Sequence, residues 1–361
     1  MKKIAVFVYD ATLYGGAERV AANLANELCR DYEVHLISCF ASREELSFPL
    51  GEQVQYHVLN RETLSIPVHC HGLAKKLRSI LRDNGVQVML NITAGVNTVA
   101  WLGTRGTKVK VIYCEHSNLV NKTYGKKHQL RQWLGAKTAD KVIALTQTDQ
   151  REFQRKYHIG SKADFIYNWY AGPIDTAHAP DSRRIIAVGR LEYIKGYDRM
   201  IQAAARVFAK HPDWALDIYG EGTYRDAIAR QIGELHLEDH VFLKGNCPDM
   251  MDRYRDYAFC VMSSYYEGFG LALVEAMAHG LPAVSFDCPT GPREIIRDGV
   301  NGLLVENGDI GALARGMERL IEDPELLRAY ALHTTDDLHK FDKEVIYQRW
   351  VQTIDGLIDE P

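Results

Sequence analysis

The sequence predicts an α/β protein built from two Rossmann-like, doubly wound parallel-sheet domains, and three observations carry that prediction. Short apolar runs alternate along the whole chain with longer stretches of helical spacing, the pattern of parallel α/β units. At 361 residues the chain exceeds what one hydrophobic core organises. Between Tyr170 and Arg184 it reads AGPIDTAHAPDSRR, rich in Pro, Ala and polar residues and without periodicity, which is the composition of a linker. The expected division is therefore residues 1–172, residues 173–342, and a C-terminal segment, 343–361, that packs back on the first domain.

In the first half the runs KIAVFV, YEVHLISC, VQVMLNI, VKVIYCEH, KVIALT and DFIYN read as buried strands. The second half repeats the theme with RIIAVGRL, WALDIYG, VFLKG, YAFCVMSS, LPAVSFD and NGLLV. Lys343 to Ile358 carries Val345, Ile346, Trp350, Val351, Ile354 and Ile358 at mixed three- and four-residue spacing, an amphipathic helix. Open parallel sheets bind ligands beyond the carboxyl ends of their strands. Two such sheets are expected to face each other with the substrates between them.

Composition narrows the function. Hydrophobic residues at 46% and charged residues at 25% exclude disorder and a membrane-embedded chain. A formal charge of −4 and the lack of any nucleic-acid-binding signature leave no reason to expect a nucleic-acid partner. Seven scattered cysteines without a CxxC pair suggest neither a disulfide framework nor zinc, and fit a reducing cytoplasm. The opening MKKIAVFVYD loses its apolar character at Asp10, too early for a signal sequence. Gly85 to Thr104 is interrupted by Gln87, Asn91, Thr93 and Asn97, so it does not read as a spanning helix. Neither half carries a full GxGxxG with an acidic residue about twenty positions on, which counts against a nicotinamide-dependent enzyme.

Four segments carry candidate chemistry. Gly15-Gly16 lies at a strand-to-helix turn, where exposed backbone N–H groups and the helix dipole suit an anion; a tight turn needing only conformational freedom is the alternative. Gly189 and Arg190 end a strand and Lys195 comes in the next loop, so an Arg fork and a Lys point charge could meet on a diphosphate or stay solvated. Glu267-Gly268-Phe269-Gly270-Leu271 leads into a helix bearing Glu275. Its carboxylates suit sugar hydroxyls and its backbone N–H groups near Gly270 and Leu271 suit a phosphate; complementing the helix dipole is the bland reading. Thr290-Gly291 either lines the same site or forms a rigid proline turn.

Taken in order, these landmarks resemble the retaining glycosyltransferases of family four, of the GT-B fold, to which many bacterial polysaccharide and glycolipid enzymes belong. The match runs from Gly15-Gly16-Ala17-Glu18 through Glu115-His116-Ser117-Asn118, Gly189-Arg190-Leu191 with Lys195-Gly196, and Glu267 to Glu275, to Gly299-Asn301-Gly302-Leu303-Leu304-Val305. The resemblance implies that Arg190 and Lys195 hold the donor diphosphate, Glu267 the donor sugar and Glu275 the ribose. It also implies that Gly16 and the backbone near Gly270 and Leu271 approach the phosphates and that His116 lies beside the sugar.

The resemblance further implies front-face transfer of a hexose or N-acetylhexosamine, with retention, from a nucleotide sugar, expected to be a UDP-sugar, to a glycan or lipid-linked acceptor. No cofactor is expected, and no metal, because the two cations take its place. A sugar-nucleotide epimerase and a non-catalytic binding subunit of the same fold are the alternatives. The acceptor side is expected in the first domain. There Tyr124, Lys126, Lys127, His128, Arg131 and Trp133, with Lys75, Lys76, Arg78 and Arg82, either rest on the anionic headgroups of the inner membrane face or on a lipid diphosphate, or are solvated helix faces.

Overall fold

The computed structural model describes residues 1–116, 119, 125–177 and 179–359. Ser117, Asn118 and Tyr124, named above, lie outside the described residues. The chain divides into two compact units, Met1–Asn168 with Glu344–Pro361, and Trp169–Lys343.

The first unit holds a seven-stranded parallel sheet. Its strands are β1 Lys2–Asp10, β2 Tyr32–Phe40, β3 Gln55–Asn60, β4 Val88–Ile92, β5 Lys110–Glu115, β6 Lys141–Ala144 and β7 Ala163–Phe165, in the order β3-β2-β1-β4-β5-β6-β7. Helices α1 Gly16–Leu28, α2 Ile66–Asp83, α3 Asn97–Thr104, α4 Lys126–Thr138 and α5 Gln147–Tyr157 connect them. Ile4, Ala5, Val6, Phe7 and Val8 are all fully buried, because a central parallel strand is covered on both faces. Strand β3 is absent from the sequence expectation. It is an edge strand in which Leu59 alone is deeply buried while Gln55 and Tyr56 are exposed, so no apolar run marks it.

The second unit holds a six-stranded parallel sheet of β8 Arg184–Val188, β9 Ala215–Tyr219, β10 Val241–Gly245, β11 Phe259–Met262, β12 Ala283–Asp287 and β13 Gly302–Glu306, ordered β10-β9-β8-β11-β12-β13. Its helices are α6 Tyr197–Phe208, α7 Arg225–Glu234, α8 Met250–Arg253, α9 Leu271–Ala278, α10 Pro292–Ile295, α11 Ile310–Glu322 and α12 Pro324–Ala331. Each unit encloses its own apolar core.

The segment read as a linker is strapped onto the second unit. The Tyr170 N–H donates to the Phe341 carbonyl at 2.8 Å, Asp175 N–H to Ala278 at 2.9 Å and Ala179 N–H to Arg255 at 2.9 Å. The division accordingly falls after Asn168, ahead of the expected residue 172. The last helix, α13 Lys343–Asp359, belongs from Glu344 onward to the first unit. Ile346, Tyr347, Trp350, Ile354 and Leu357 form its buried stripe. Tyr32 donates to Asp355 at 2.8 Å, Arg349 to the Phe165 carbonyl at 2.6 Å, and Arg30 pairs with Glu344 at 2.8 Å.

Candidate donor site

In both sheets the strand order reverses once, between β1 and β4 and between β8 and β11. The crevice beyond such a reversal is where open α/β sheets take ligands. In the second unit the loops leaving β8 and β11 carry Lys195 and Glu267 respectively. The structure brings these two side chains together. Lys195 Nζ donates to Glu267 Oε1 at 2.7 Å, with the carboxylate 6% exposed. Ser264 Oγ donates to the same carboxylate oxygen at 2.5 Å.

The loop bearing Glu267 is braced from below. Thr290 Oγ1 donates to the Glu267 carbonyl at 2.5 Å. Gly291, at φ +98°, lies so close beneath that a Cβ there would stand 2.3 Å from the Phe269 carbonyl oxygen. Only glycine fits that backbone. Helix α9 then starts after Gly270, at φ +96°, with no side-chain cap, and its first N–H groups have no acceptor within the helix.

A second brace joins the two loops. Arg199 of α6 is buried, its guanidinium 3.7 Å from the centre of the Tyr265 ring and 4.4 Å from that of Phe286. Its Nη2 donates to the Ser263 carbonyl at 2.5 Å and its Nη1 to Asn307 at 3.1 Å. Ser263 Oγ in turn donates to the Lys195 carbonyl at 3.0 Å, the Tyr265 N–H to Ile194 at 2.9 Å, and the Tyr265 hydroxyl to Asp198 at 2.8 Å. Arg199 and Ser264 are missing from the sequence expectation. The available signal is a charge at position 199 on a helix whose neighbours Tyr197, Met200 and Ile201 all face the core.

The remaining expected residues take varied positions. Arg190 is exposed and pairs with no carboxylate among the described residues. Glu275, on the second turn of α9, is half-buried and accepts from the Tyr254 hydroxyl at 3.2 Å. The Gly189 carbonyl accepts from Tyr197 at 3.0 Å. Phe269 and Thr290 are buried, Thr290 beneath the Glu267 loop that it braces. The Phe269 ring meets the edge of Phe341 at 5.2 Å, since burying an aromatic face outweighs any polar contact it could offer. Among the described residues no three His, Cys, Asp or Glu side chains converge as a metal-holding set.

Gly15, Gly16 and His116 belong to the first unit. Gly15 caps α1 in an extended conformation and Gly16 opens it, with open space where its Cβ would stand. His116 directly succeeds β5. Its Nε2 is shielded from water and has no hydrogen-bond partner among the described residues, and burial pulls its pKa down to about 4. It is a neutral imidazole at physiological pH.

Two parallel sheets, each reversing its strand order once, and an ammonium–carboxylate pair at the second reversal are the frame expected of a GT-B glycosyltransferase, and the comparisons with known proteins carry that class. The sequence model of the family described as Glycosyltransferase Family 4 matches residues 14–170, and that of Glycosyl transferases group 1 matches residues 174–334. The chain belongs to glycosyltransferase family four. It is 26% identical over 362 residues to the amylovoran biosynthesis glycosyltransferase AmsD of Erwinia amylovora, covering 97% of this chain and 99% of that one. It is 27% identical over 368 residues to the N-acetylgalactosamine-N,N'-diacetylbacillosaminyl-diphospho-undecaprenol 4-alpha-N-acetylgalactosaminyltransferase of Campylobacter jejuni, covering 95% and 96%. Among solved structures, Anabaena HepE in complex with UDP and glucose superimposes with a TM-score of 0.79 at 21% identity over 99% of this chain and 100% of that one.

Proposed function

We propose that the protein transfers a hexose or N-acetylhexosamine from a UDP-sugar to a glycan or lipid-linked acceptor in bacterial surface-polysaccharide synthesis, with retention of configuration and without a metal. The observation that carries this reading is the Lys195–Glu267 pair at the β8/β11 reversal. An ammonium has three N–H donors, and the bond to Glu267 uses one. The others, with the exposed Arg190 and the uncapped start of α9, supply positive charge for a departing diphosphate. Glu267 orients a sugar hydroxyl, and Glu275 on the next turns of the helix takes the ribose.

The polysaccharide assignment draws on AmsD, and the lipid-linked acceptor on the Campylobacter enzyme named for a diphospho-undecaprenol substrate. That enzyme's name also specifies an alpha linkage, which retention from an alpha-linked donor produces. HepE, a fold neighbour, binds UDP and glucose, which supports uridine as the base. The acceptor falls to the first unit, working at the cytoplasmic face of a membrane; among the described residues no helix is long and apolar enough to cross one.

The test is a panel of sugar nucleotides with and without undecaprenyl-diphosphate-linked acceptors, tracking nucleotide release, product mass and the anomeric configuration of the product. Acceptor-dependent release of UDP with an alpha product is expected. Donor conversion that ignores the acceptor would overturn transfer, a beta product would overturn retention, and loss of turnover in chelator would overturn metal independence.

A further inference from the structure

We propose that Thr93 is a specificity residue for the acceptor: its backbone is held in strain at the β1/β4 reversal so that its hydroxyl and the ring of Tyr9 bound a niche for one edge of the acceptor sugar. The inference deepens the reading of the first unit as the acceptor's side, and rests on it.

Thr93 follows directly on β4, which with its neighbour β1 marks the point where the first sheet reverses. Its backbone lies at φ +73° and ψ +156°. That region is essentially glycine's own, and a β-branched residue there is strained. Its surroundings hold it in place. The Thr93 N–H donates to the Cys114 carbonyl at 2.9 Å, extending the pairing of β4 with β5 by one residue. The chain then enters a 3₁₀ turn, Ala94–Val96, in which Ala94 and Val96 are fully buried. Asn91 on β4 donates to the Asn97 side chain at the head of α3, so a side-chain bond spans the kink, and Asn97 donates onward to the Arg131 carbonyl at 2.8 Å. Glycine would make so abrupt a turn at no steric cost. A threonine stands there instead.

What the threonine adds is a hydroxyl beside an opening. Thr93 is half-buried, and its Oγ1 makes no hydrogen bond among the described residues. Gly95 leaves the room, since a Cβ there would stand 3.6 Å from Thr93 Oγ1 and 3.5 Å from Cδ2 of the Tyr9 ring, with nothing nearer. Those are ordinary van der Waals separations, so a carbon-sized atom fits between the hydroxyl and the ring. Tyr9, near the end of β1, comes from the other side of the reversal, its ring set edge-on against Phe40 at 5.2 Å. A ring edge next to a single hydroxyl matches the alternating C–H and O–H groups of a pyranose. A hydroxyl placed in this way discriminates strongly, because a sugar lacking the matching group leaves it unpaired. Strain persists at positions where the geometry serves binding.

The experiment is steady-state transfer by the full chain from UDP-glucose or UDP-N-acetylglucosamine to N-acetylglucosaminyl or N-acetylgalactosaminyl diphospho-undecaprenol, with donor and acceptor KM measured separately and thermal melts alongside. Thr93→Val keeps the branched shape and loses the hydroxyl, so the acceptor KM should rise roughly tenfold and the donor KM by less than about twofold. Thr93→Ser, which keeps the hydroxyl, should hold most of the acceptor affinity. Thr93→Gly removes strain and hydroxyl together, so its melting temperature should rise by about 2–4 °C while its acceptor KM rises as in Thr93→Val. Gly95→Ala, whose methyl group fits without a clash, should melt as wild type does and raise the acceptor KM by filling the opening. Equal rises in the two KM values would overturn the contact, as would an acceptor KM that stays at the wild-type value in Thr93→Val or Gly95→Ala. A Thr93→Gly protein that is more stable and fully active would make the strain incidental and overturn it too. Each of those results leaves transfer itself intact, whereas donor turnover that ignores both acceptors would sink the reading of lipid-linked transfer and this contact with it.

Discussion

The sheets of the two units reverse their strand order in the same way, yet the structure furnishes the two reversals differently. At β8/β11 a lysine, a glutamate and a serine are locked together, with a buried arginine holding the loops that carry them. In the first unit the reversal lies between β1 and β4: the carboxyl end of β1 leads to the Gly15-Gly16 turn, and β5, the neighbour of β4, leads to His116, a neutral imidazole whose Nε2 has no hydrogen-bond partner among the described residues. The difference teaches that common topology supplies the place and side chains supply the chemistry. A preorganised set of charges suits a donor whose leaving group gains charge, whereas backbone groups and an uncharged imidazole suit contact that must not trap product.

The largest effect expected from breaking that contrast is at Glu267. Glu267→Ala leaves Lys195 without its buried partner and removes the group assigned to the sugar, so kcat/KM should fall by about two to three orders of magnitude, roughly 3–4 kcal/mol. Glu267→Gln keeps the shape and one acceptor, and should lose less. The comparison to make is His116→Ala, which should cost less than Glu267→Ala if the second unit carries the charged chemistry. A reversed ranking in steady-state kinetics would break the contrast.

Two glycines sharpen it next. Gly291→Ala forces a Cβ onto the Phe269 carbonyl at positive φ, and about 1–3 kcal/mol of stability should be lost from the backbone conformation alone. Gly16→Ala meets open space at the start of a helix, so denaturant melts should show little change. An activity loss in stable Gly16→Ala would then report a ligand approaching that turn, and full activity would leave the turn a purely structural one.

The features differ in how legible the sequence makes them, and the reason lies in the kind of signal each one leaves. Buried parallel strands announce themselves as apolar runs, which is why the six strands of the second unit can be read directly. Strand β3, solvated along one edge, cannot. The segment Glu267 to Glu275 is visible as a motif, and Lys195 as a cation after a strand. Their ion pair is not visible, because residues 72 positions apart meet only through the sheet reversal. The contact between the rings of Phe269 and Phe341 leaves no mark in the sequence either, since the two residues meet only in the fold. Nor does the sequence show what the basic residues hold: Arg78 donates to the carbonyls of Leu102, Gly103 and Arg105, contacts that arise only in the fold.

Arg199 tests whether the second unit's order comes from the brace or from the ion pair alone. Arg199→Lys keeps a charge but loses the planar fork and much of the stacking on Tyr265. Charge-assisted hydrogen bonds of this kind are worth about 1.5–3 kcal/mol, so kcat/KM should fall roughly ten- to a hundredfold, with Arg199→Met worse. A brace that positions Lys195 and Glu267 should raise the donor KM or lower kcat in Arg199→Lys beyond what its melting temperature explains. Lower thermal stability with unchanged donor kinetics would reduce Arg199 to a packing residue.

The smallest expected effect belongs to the first unit and concerns pH. His35, fully buried on β2, shares a 3.1 Å contact between its Nδ1 and Nε2 of His57 on β3, with Glu33 and Lys3 close by. Burial, and for His35 also the neighbouring imidazole, holds both pKa values below the ordinary 6.5. The unfolded chain therefore binds more protons than the folded one as pH falls below about 6.5, and stability present above that pH is lost on acidification. Two imidazolium rings at that spacing would repel each other and loosen the edge strand that carries His57. In urea melts between neutral pH and pH 5, wild type should lose stability faster than His57→Gln, which keeps a hydrogen-bonding side chain but cannot take the second proton. Parallel curves for the two proteins would remove the histidine pair from the acid response and leave His116 and His128, both held below the ordinary value by burial, as candidates for it.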